Sequence, residues 1–494
     1  MPEKAPTSRA ASLRLRLIGA AGVAIILAGW AVASLAAGTY FVPAPWMTIA
    51  DTALLLSRGF TWTQIVITFL RVCVGFAGGF VTGVAAGMAM GARRELDALF
   101  KPLILFFQGM PPLLWAIPLV ALMGIGHLPT IVVIGLITFP LVAVTVGEGM
   151  AALPREYGEM LTIFAPGFIP RTRELVLPHL APFLAASLKA GLVLAVKASV
   201  TAEYFGATDG IGFQIQAAYM SMRIHSLFSW AAVLILIILV FNHLLPRIRL
   251  AGPVFTRMIV RSGSTLCGRE DIEELQLAFT SRAGAGAISL RGVSFSYPKN
   301  AAILRDVSLE VGPHEIAVVT GESGIGKTTL LKVAASLVKP AAGIVSCPAR
   351  IGFVFQDDRL LPWRSLARNT ALPLLYQGFP RKSALCFAQY LLSEAGLAGE
   401  EGKKPDELSG GMKKRAALAR CFARLPDAIF LDEPFSGLHR KARVLLWDMF
   451  MRLHALHPVP ALIVTHYPEE ISNLASCAVY VLEGKPAKIT AVQL

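Results

Sequence analysis

Up to about residue 245, apolar residues run for about 20 at a time with almost no charge between them, which is the length needed to cross the hydrocarbon core of a bilayer. A soluble domain cannot bury so many such runs, so this half has to fold in lipid, where backbone polar groups must be satisfied internally. The candidate spans fall at about 15–37, 62–91, 99–125, 129–150, 181–206 and 226–246. Hydrophobic residues make up 55% of the 494 positions and mean hydropathy is +0.60, above the range of soluble globular proteins. The excess is confined to the first half; beyond it apolar and charged residues alternate as in a soluble α/β domain. The expected organisation is a transmembrane domain at 1–249, a linker at 250–285 that mixes charge, Gly and Ser, and a soluble domain at 286–494.

A formal charge of +14 raises the question of nucleic acid, but Lys and Arg are spread along the chain and flank apolar segments instead of forming a stripe. No nucleic-acid partner is expected; the partner is the lipid bilayer. Basic residues gather in the leader (Lys4, Arg9, Arg14, Arg16), at Arg93, Arg94 and Lys101, in the loop 152–180 and at Arg247 and Arg249. The opposite loops hold little beyond Arg58 and Arg223, so the positive-inside rule places both termini in the cytoplasm. The leader and first apolar run resemble a signal peptide, but the run is long and further spans follow, which favours a first transmembrane helix. The six cysteines are far apart and make no metal-ligand pattern, and are expected to be reduced thiols.

Glycine is dense in the second span, from Gly75 to Gly91, where small residues let helices approach closely. Pro111-Pro112 and Pro118 break the third span, as a wall of a transport path or as a packing kink. Charges at membrane depth are Arg71, Glu148, Lys189, Lys197 and Glu203, each costing roughly 2.5–3.5 kcal/mol at a helix centre. Most are expected near span ends, reaching for the interface. Lys197 and Glu203 lie deeper but about 240° apart on a helix, so each should meet other helices. Lys197 either makes a structural interhelical bond or contacts an anionic substrate. The loop 152–180 is long and amphipathic, with Glu159-Met-Leu-Thr-Ile-Phe-Ala165, Pro166-Gly167 and Val176-Leu177-Pro178. It resembles the E-A-A…G…I-x-L-P loop of ABC importer permeases, whose short helix docks on the ATPase, although Met160, Leu161 and Ala165 depart from the pattern.

In the second half, Gly321-Glu-Ser323-Gly324-Ile-Gly326-Lys327-Thr328 follows the apolar strand Ile316–Thr320 and opens a helix at Thr328-Thr329. Phosphate needs this arrangement: glycines admit backbone N–H groups, the helix start adds positive potential, Lys327 meets the β/γ oxygens and Thr328 ligates Mg2+. Ile429-Phe-Leu-Asp432-Glu433 is a strand ending in two carboxylates, Asp432 suited to Mg2+ through water and Glu433 to polarising an attacking water. Between them, Leu408-Ser409-Gly410-Gly411-Met412 closely resembles the L-S-G-G-Q signature of ABC ATPases.

That resemblance covers nearly the whole chain. It implies a fold of an α-helical polytopic membrane bundle with six spans followed by an α/β P-loop NTPase domain. It implies that Tyr297 stacks on adenine, that Gln356 senses Mg2+ and contacts the permease, and that His466 contacts the γ-phosphate. Ser409, Gly410 and Gly411 would bind the γ-phosphate of ATP held by another copy, so a homodimer is implied. One departure is His439, where the family has aspartate after Ser436-Gly437-Leu438; with Glu433 and His466 retained, hydrolysis should survive. Gln356-Asp-Asp-Arg-Leu-Leu-Pro-Trp363 looks like the sulfonate, nitrate and taurine branch of importers. The expected function is ATP-driven import of a small anion across the bacterial inner membrane, with a periplasmic or lipoprotein substrate-binding protein. An ABC exporter, or a membrane-bound ATPase with a regulatory role, is the alternative; the sequence names no substrate.

Overall fold

The computed structural model describes residues 9–164, 167–244, 270–281, 286–297, 302–466 and 478–492. The chain divides into two compact units: Met1–Leu153 with His179–Ile259, and Pro154–Pro178 with Val260–Leu494. The loop expected to dock therefore belongs to the second unit.

The first unit is helical. It holds α1 (Arg9–Ala37), α2 (Pro45–Leu56), α3 (Gly59–Ala92), α4 (Arg94–Gly109), α5 (Pro112–Met123) and α6 (His127–Ala151). The inserted segment carries α7 (Arg155–Phe164) and α8 (Phe168–Arg171), after which the chain returns through α9 (Leu177–Gly206), α10 (Ile211–Met220) and α11 (Ile224–Leu244). Among the described residues five stretches are long and apolar enough to cross a membrane: Leu17–Ala37, Gly59–Ala92, His127–Ala151, Thr172–Gly206 and Ile224–His243. The pair α4 and α5 is apolar enough to count as a sixth if taken together, but it is bent by 93°, as in a broken span or a re-entrant loop. The break expected at Pro111-Pro112 within 99–125 thus falls where the sequence placed it. Met110 (ψ 124°) and Pro111 (ψ 147°) both precede a proline, which pushes them out of the helical region.

Helices α3 and α6 pack along Gly75, Gly79, Gly83, Gly87 and Gly91, one residue per turn. A Cβ added at Gly79 would lie 2.2 Å from Thr138 Oγ1 and 2.6 Å from the Gly135 carbonyl oxygen, so only glycine permits this approach. On the same stripe of α3, Gln64, Thr68 and Arg71 are buried. Arg71 was expected to reach for a membrane interface; instead it is 2% exposed and pairs with the fully buried Glu203 of α9 at 3.0 Å. Its Nε donates to His127 Nδ1 (3.0 Å), its NH1 to the Asp209 carbonyl (2.9 Å), and its NH2 pairs with the Asp209 carboxylate. Glu203 Oε2 also accepts from Thr68 Oγ1 (3.0 Å) and the Gly212 amide (2.9 Å). Six residues from Glu203, Lys197 is exposed.

Removing one partner of a buried pair strands the other charge. Arg71→Leu should therefore cost about 3–5 kcal/mol. The thermal midpoint of the full chain in detergent reads this, and Arg71→Leu/Glu203→Leu should recover most of the loss.

The second unit has two sheets. β1 (Ile288–Ser296), β2 (Ala302–Val311) and β4 (Ala342–Ser346) form an antiparallel sheet of order β2-β1-β4. The six-stranded sheet has order β5-β6-β7-β3-β8-β9, with β3 (Ile316–Gly321), β5 (Ile351–Val354), β6 (Ala428–Asp432), β7 (Ala461–Val464) and β8 (Ala478–Glu483) parallel. Only β9 (Lys488–Val492) runs antiparallel, against β8. β5, β6 and β7 are buried at every residue, as parallel strands covered on both faces must be.

Within the segment expected as linker lies a helix, α12 (Glu270–Ser281). Leu275 and Phe279, one turn apart, enter the core of the second unit, where Phe279 meets Phe387 and Phe422 edge-on and stacks on His457 at 4.7 Å. Both His457 ring nitrogens face carbonyl oxygens, of Phe279 and Pro426, tying α12 to the domain. Cys73, Cys347 and Cys421 are free, but Cys386 is disulfide-bonded, which corrects the expectation of six reduced thiols. Cys267 and Cys477 lie outside the described residues.

Candidate functional site

The sheet order brings together motifs far apart in sequence. β5, β6, β7 and β3 are adjacent and parallel. Gln356 follows β5, Asp432 ends β6, His466 follows β7, and the glycine-rich loop follows β3, so all of them lie at the carboxyl edge of one sheet. Ligands of open α/β sheets bind at such an edge. The loop leads into α13 (Lys327–Ala334), with Gly326 left-handed (φ 112°) at its start. Gly321 passes so close to β8 that a Cβ would lie 2.6 Å from the Leu482 carbonyl oxygen. Ser323 and Gly324 are exposed on the loop and Thr329 is buried in the first turn of α13.

Lys327 Nζ donates to the Gly321 (2.7 Å) and Glu322 (2.8 Å) carbonyls, which holds the ammonium across the loop. Burial pushes its pKa below the ordinary lysine value, while Glu433 and Asp432 pull it back up. Thr328 Oγ1 donates to Asp432 Oδ1 at 3.0 Å. Burial raises the Asp432 carboxyl above the usual carboxylate range, and the bond from Thr328 works against that. His466 Nε2 lies 2.8 Å from Glu433 Oε1. Glu433 has φ 46°, a left-handed backbone rare outside glycine, and its amide donates to the Val464 carbonyl at 2.9 Å. Strain of this kind persists only where the surroundings enforce it. A hydroxyl, two carboxylates, an imidazole, an ammonium and a helix start thus face one edge, a set suited to phosphate and a hard cation.

Tyr297 follows β1 and meets Phe295 edge-on at 4.9 Å. Gln356 is exposed, and its carbonyl accepts from Lys414 Nζ (3.0 Å), which also donates to Ser436 Oγ (3.4 Å). Lys414, two residues beyond Met412 of the signature, therefore ties the signature helix to two catalytic-edge loops. Ser409 caps that helix, Gly410–Phe422, accepting from the Met412 amide at 3.4 Å. Ser409 and Gly410 are exposed, and among the described residues no hydrogen bond joins Ser409, Gly410 or Gly411 to the glycine-rich loop.

His439 occupies the N-cap of the helix Arg440–Leu456 and makes no capping bond through its side chain. Aspartate there would accept from the exposed helix amides, worth about 1 kcal/mol. His439→Asp should raise the thermal midpoint of the full chain and keep ATP turnover, with the ATPase pH profile as the second readout.

The loop that precedes α9 is held by the same unit's charges. Glu159 Oε2 lies 3.1 Å from Arg359 NH1 and 3.4 Å from Lys332 Nζ, the latter in the last turn of α13. Burial works to raise the Glu159 carboxyl, but Lys332 and Arg359 outweigh it and hold it below its ordinary value. Trp363 Nε1 donates to the Glu174 carbonyl (3.2 Å), Arg364 pairs with the Glu174 carboxylate, and Tyr157 meets Trp363 edge-on at 6.1 Å. Phe164 lies beside Tyr376 (6.3 Å) and beneath the Arg424 guanidinium (5.8 Å).

Comparison with known proteins agrees with this geometry. The family model described as "ABC transporter" matches residues 304–436, and that described as "Binding-protein-dependent transport system inner membrane component" matches 79–250. The chain is 39% identical over 189 residues to the aliphatic sulfonates import ATP-binding protein SsuB 1 of Rhodococcus jostii, covering 37% of this chain and 74% of that one. The chain belongs to the ABC transporters. It is likewise 35% identical over 198 residues to the taurine import ATP-binding protein TauB of Pseudomonas fluorescens, covering 38% of this chain and 75% of that one. Among solved structures, a dimeric ATP-binding cassette in a post-hydrolysis state with ADP and Pi is 24% identical, with a TM-score of 0.38 over 42% of this chain and 99% of that one. This ABC transporter is thus a multi-pass membrane protein that joins a permease-type region to an ATP-binding, ATP-hydrolysing transport domain in one polypeptide.

Proposed function

We propose that the ABC transporter is an importer of a small organic anion of the sulfonate class, working as a homodimer in the bacterial inner membrane. The ATPase domain and both termini face the cytoplasm, and a periplasmic or lipoprotein binding protein delivers the cargo. The permease spans 1–249 and the ATPase 286–494, with α12 joining the ATPase from within the intervening segment. One observation carries the reading: the signature at Ser409-Gly410-Gly411 is an exposed helix start that, among the described residues, makes no hydrogen bond to the glycine-rich loop of its own chain, which supports closure of the nucleotide site by a second copy. The relatives that import sulfonates and taurine support the substrate class.

In this reading the amides of Gly321 to Gly326 and the Lys327 ammonium cradle the β- and γ-phosphates of ATP, and Tyr297 stacks on the adenine. Thr328 and Asp432 are the donors for Mg2+, with Gln356 near it. A hydroxyl beside one buried carboxylate fits a hard cation that takes its remaining oxygens from water and phosphate, and no cluster of three acidic, His or Cys ligands occurs among the described residues. When bound, Mg2+ neutralises charge on the phosphate oxygens. Glu433 accepts a proton from the attacking water, held in place by His466, which also faces the γ-phosphate. Ser409, Gly410 and Gly411 of the second copy close the site from the other side.

ATP hydrolysis by the full chain in nanodiscs, titrated with periplasmic binding proteins loaded with candidate anions, tests this. Stimulation by one loaded protein is expected. Hydrolysis that ignores every binding protein would count against import.

A further inference from the structure

Helix α9 buries Ala185, Gly191, Ala195, Ala198, Ser199, Ala202 and Glu203 on one side. Its open stripe runs through Ala186, Ala190 and Lys197, all exposed, with Val193 and Thr201 half-buried, and ends at the half-buried Tyr204 and the exposed Phe205. Lys197 sits at the centre of that stripe. Other spans show a different open face: α3 exposes Val66, Phe69, Leu70, Val74 and Val81, and α11 exposes Ile235, Leu236, Leu239 and Val240. Those are surfaces for lipid tails. On α9 the bulky aromatics, Tyr204 and Phe205, are confined to the end of the stripe, and around Lys197 the exposed positions are alanine and a cation, a surface for water or protein.

Depth argues the same way. Lys197 stands nine residues before the end of α9 at Gly206, about 13 Å along the axis, in a hydrocarbon core about 30 Å thick. The acid on the same helix, Glu203, lies six residues on, points about 240° away and is committed to Arg71, Thr68 and the Gly212 amide. Among the described residues Lys197 has no ion pair, and facing lipid it would cost roughly 2.5–3.5 kcal/mol.

We propose that the α9 stripe lines a water-filled path between two copies of the permease, and that Lys197 of each copy binds the acidic group of the cargo at mid-membrane. This rests on the reading of the chain as a homodimeric anion importer and adds the residue that holds the anion. Two ammonium groups facing each other across a two-fold axis repel, and an anion between them resolves the repulsion. Ala186, Ala190 and Thr201 leave room for it.

The test uses the full chain in proteoliposomes with two readouts. In the first, Lys197→Cys is exposed to the water-soluble anionic thiol reagent MTSES and compared with the parent chain; labelling above the parent is expected, and none would overturn the proposal. The second is ATP-driven uptake of radiolabelled ethanesulfonate with its binding protein. Losing a charge-assisted contact should lower uptake by Lys197→Gln about ten- to a hundredfold, with Lys197→Arg retaining most of it. Wild-type uptake matched by Lys197→Gln would sink the Lys197 assignment while leaving the importer reading intact. If the wild type takes up no anion, the importer reading fails, and labelling at position 197 alone decides whether the stripe is a water-lined path.

Discussion

Replacing Glu433 by glutamine should nearly stop ATP turnover while leaving nucleotide binding in place. Glutamine keeps the length of the side chain and an oxygen that can accept from His466, now 2.8 Å from Glu433 Oε1, but it cannot take a proton from water. A positioned general base contributes about 10²–10⁴-fold, so the steady-state rate should fall by that factor. The left-handed backbone at this position (φ 46°) is as costly for glutamine as for glutamate, so stability should not change. Phosphate release and binding of a fluorescent ATP analogue, measured on the full chain in nanodiscs, separate the two effects. A variant that keeps more than about a tenth of the wild-type rate would place the base elsewhere on the sheet edge, since the loss would then fall below the range for a general base.

The parts of this site that were legible in the sequence are those whose chemistry is local. The glycine-rich loop reads as strand, turn and helix start within a dozen residues, and Asp432 with Glu433 reads as a strand end. Their meeting was not legible without the resemblance. It follows from β3 inserting between β7 and β8, a pairing of strands more than a hundred residues apart that no local spacing encodes. In the membrane unit the prolines announced a break in the third span, but the 93° bend depends on two consecutive residues leaving the helical region. Arg71 was visible as a charge, yet its partner depended on helix rotation. The buried positions Gln64, Thr68, Arg71 and Gly75, spaced by four, three and four, were the available signal that it faces inward. Helix α12 escaped because its two anchoring residues, Leu275 and Phe279, sit in a short and highly charged run where apolar periodicity is weak.

Reversing the charge at Glu159 should uncouple transport from hydrolysis. The spacing of Glu159 to Leu177-Pro178 marked this loop, but its counter-charges, Lys332 and Arg359, lie in the distant ATPase sequence, one on α13 and one three residues after Gln356. A displacement of the loop therefore pulls on the phosphate-binding helix and on the segment beside β5 together. Glu159 is 49% exposed, so each pair adds little to stability, about 0.2–1 kcal/mol with solvent screening included. Truncation to alanine should accordingly be mild. Glu159→Arg is different, because it sets three cations together where one carboxylate now accepts from two. ATP-driven uptake in proteoliposomes should drop by at least about tenfold, the equivalent of 1.4 kcal/mol of lost coupling, while Glu433-dependent hydrolysis continues. The swap Glu159→Arg/Arg359→Glu should restore part of it. The carboxyl's pKa lies below its unfolded value, so the attraction is fully present above the ordinary carboxylate range and is lost only as pH falls through that lowered pKa. Coupling should therefore hold unchanged across neutral pH. Undiminished uptake by Glu159→Arg would mean that the aromatic contacts of Tyr157 and Phe164, not this ionic clamp, carry the motion.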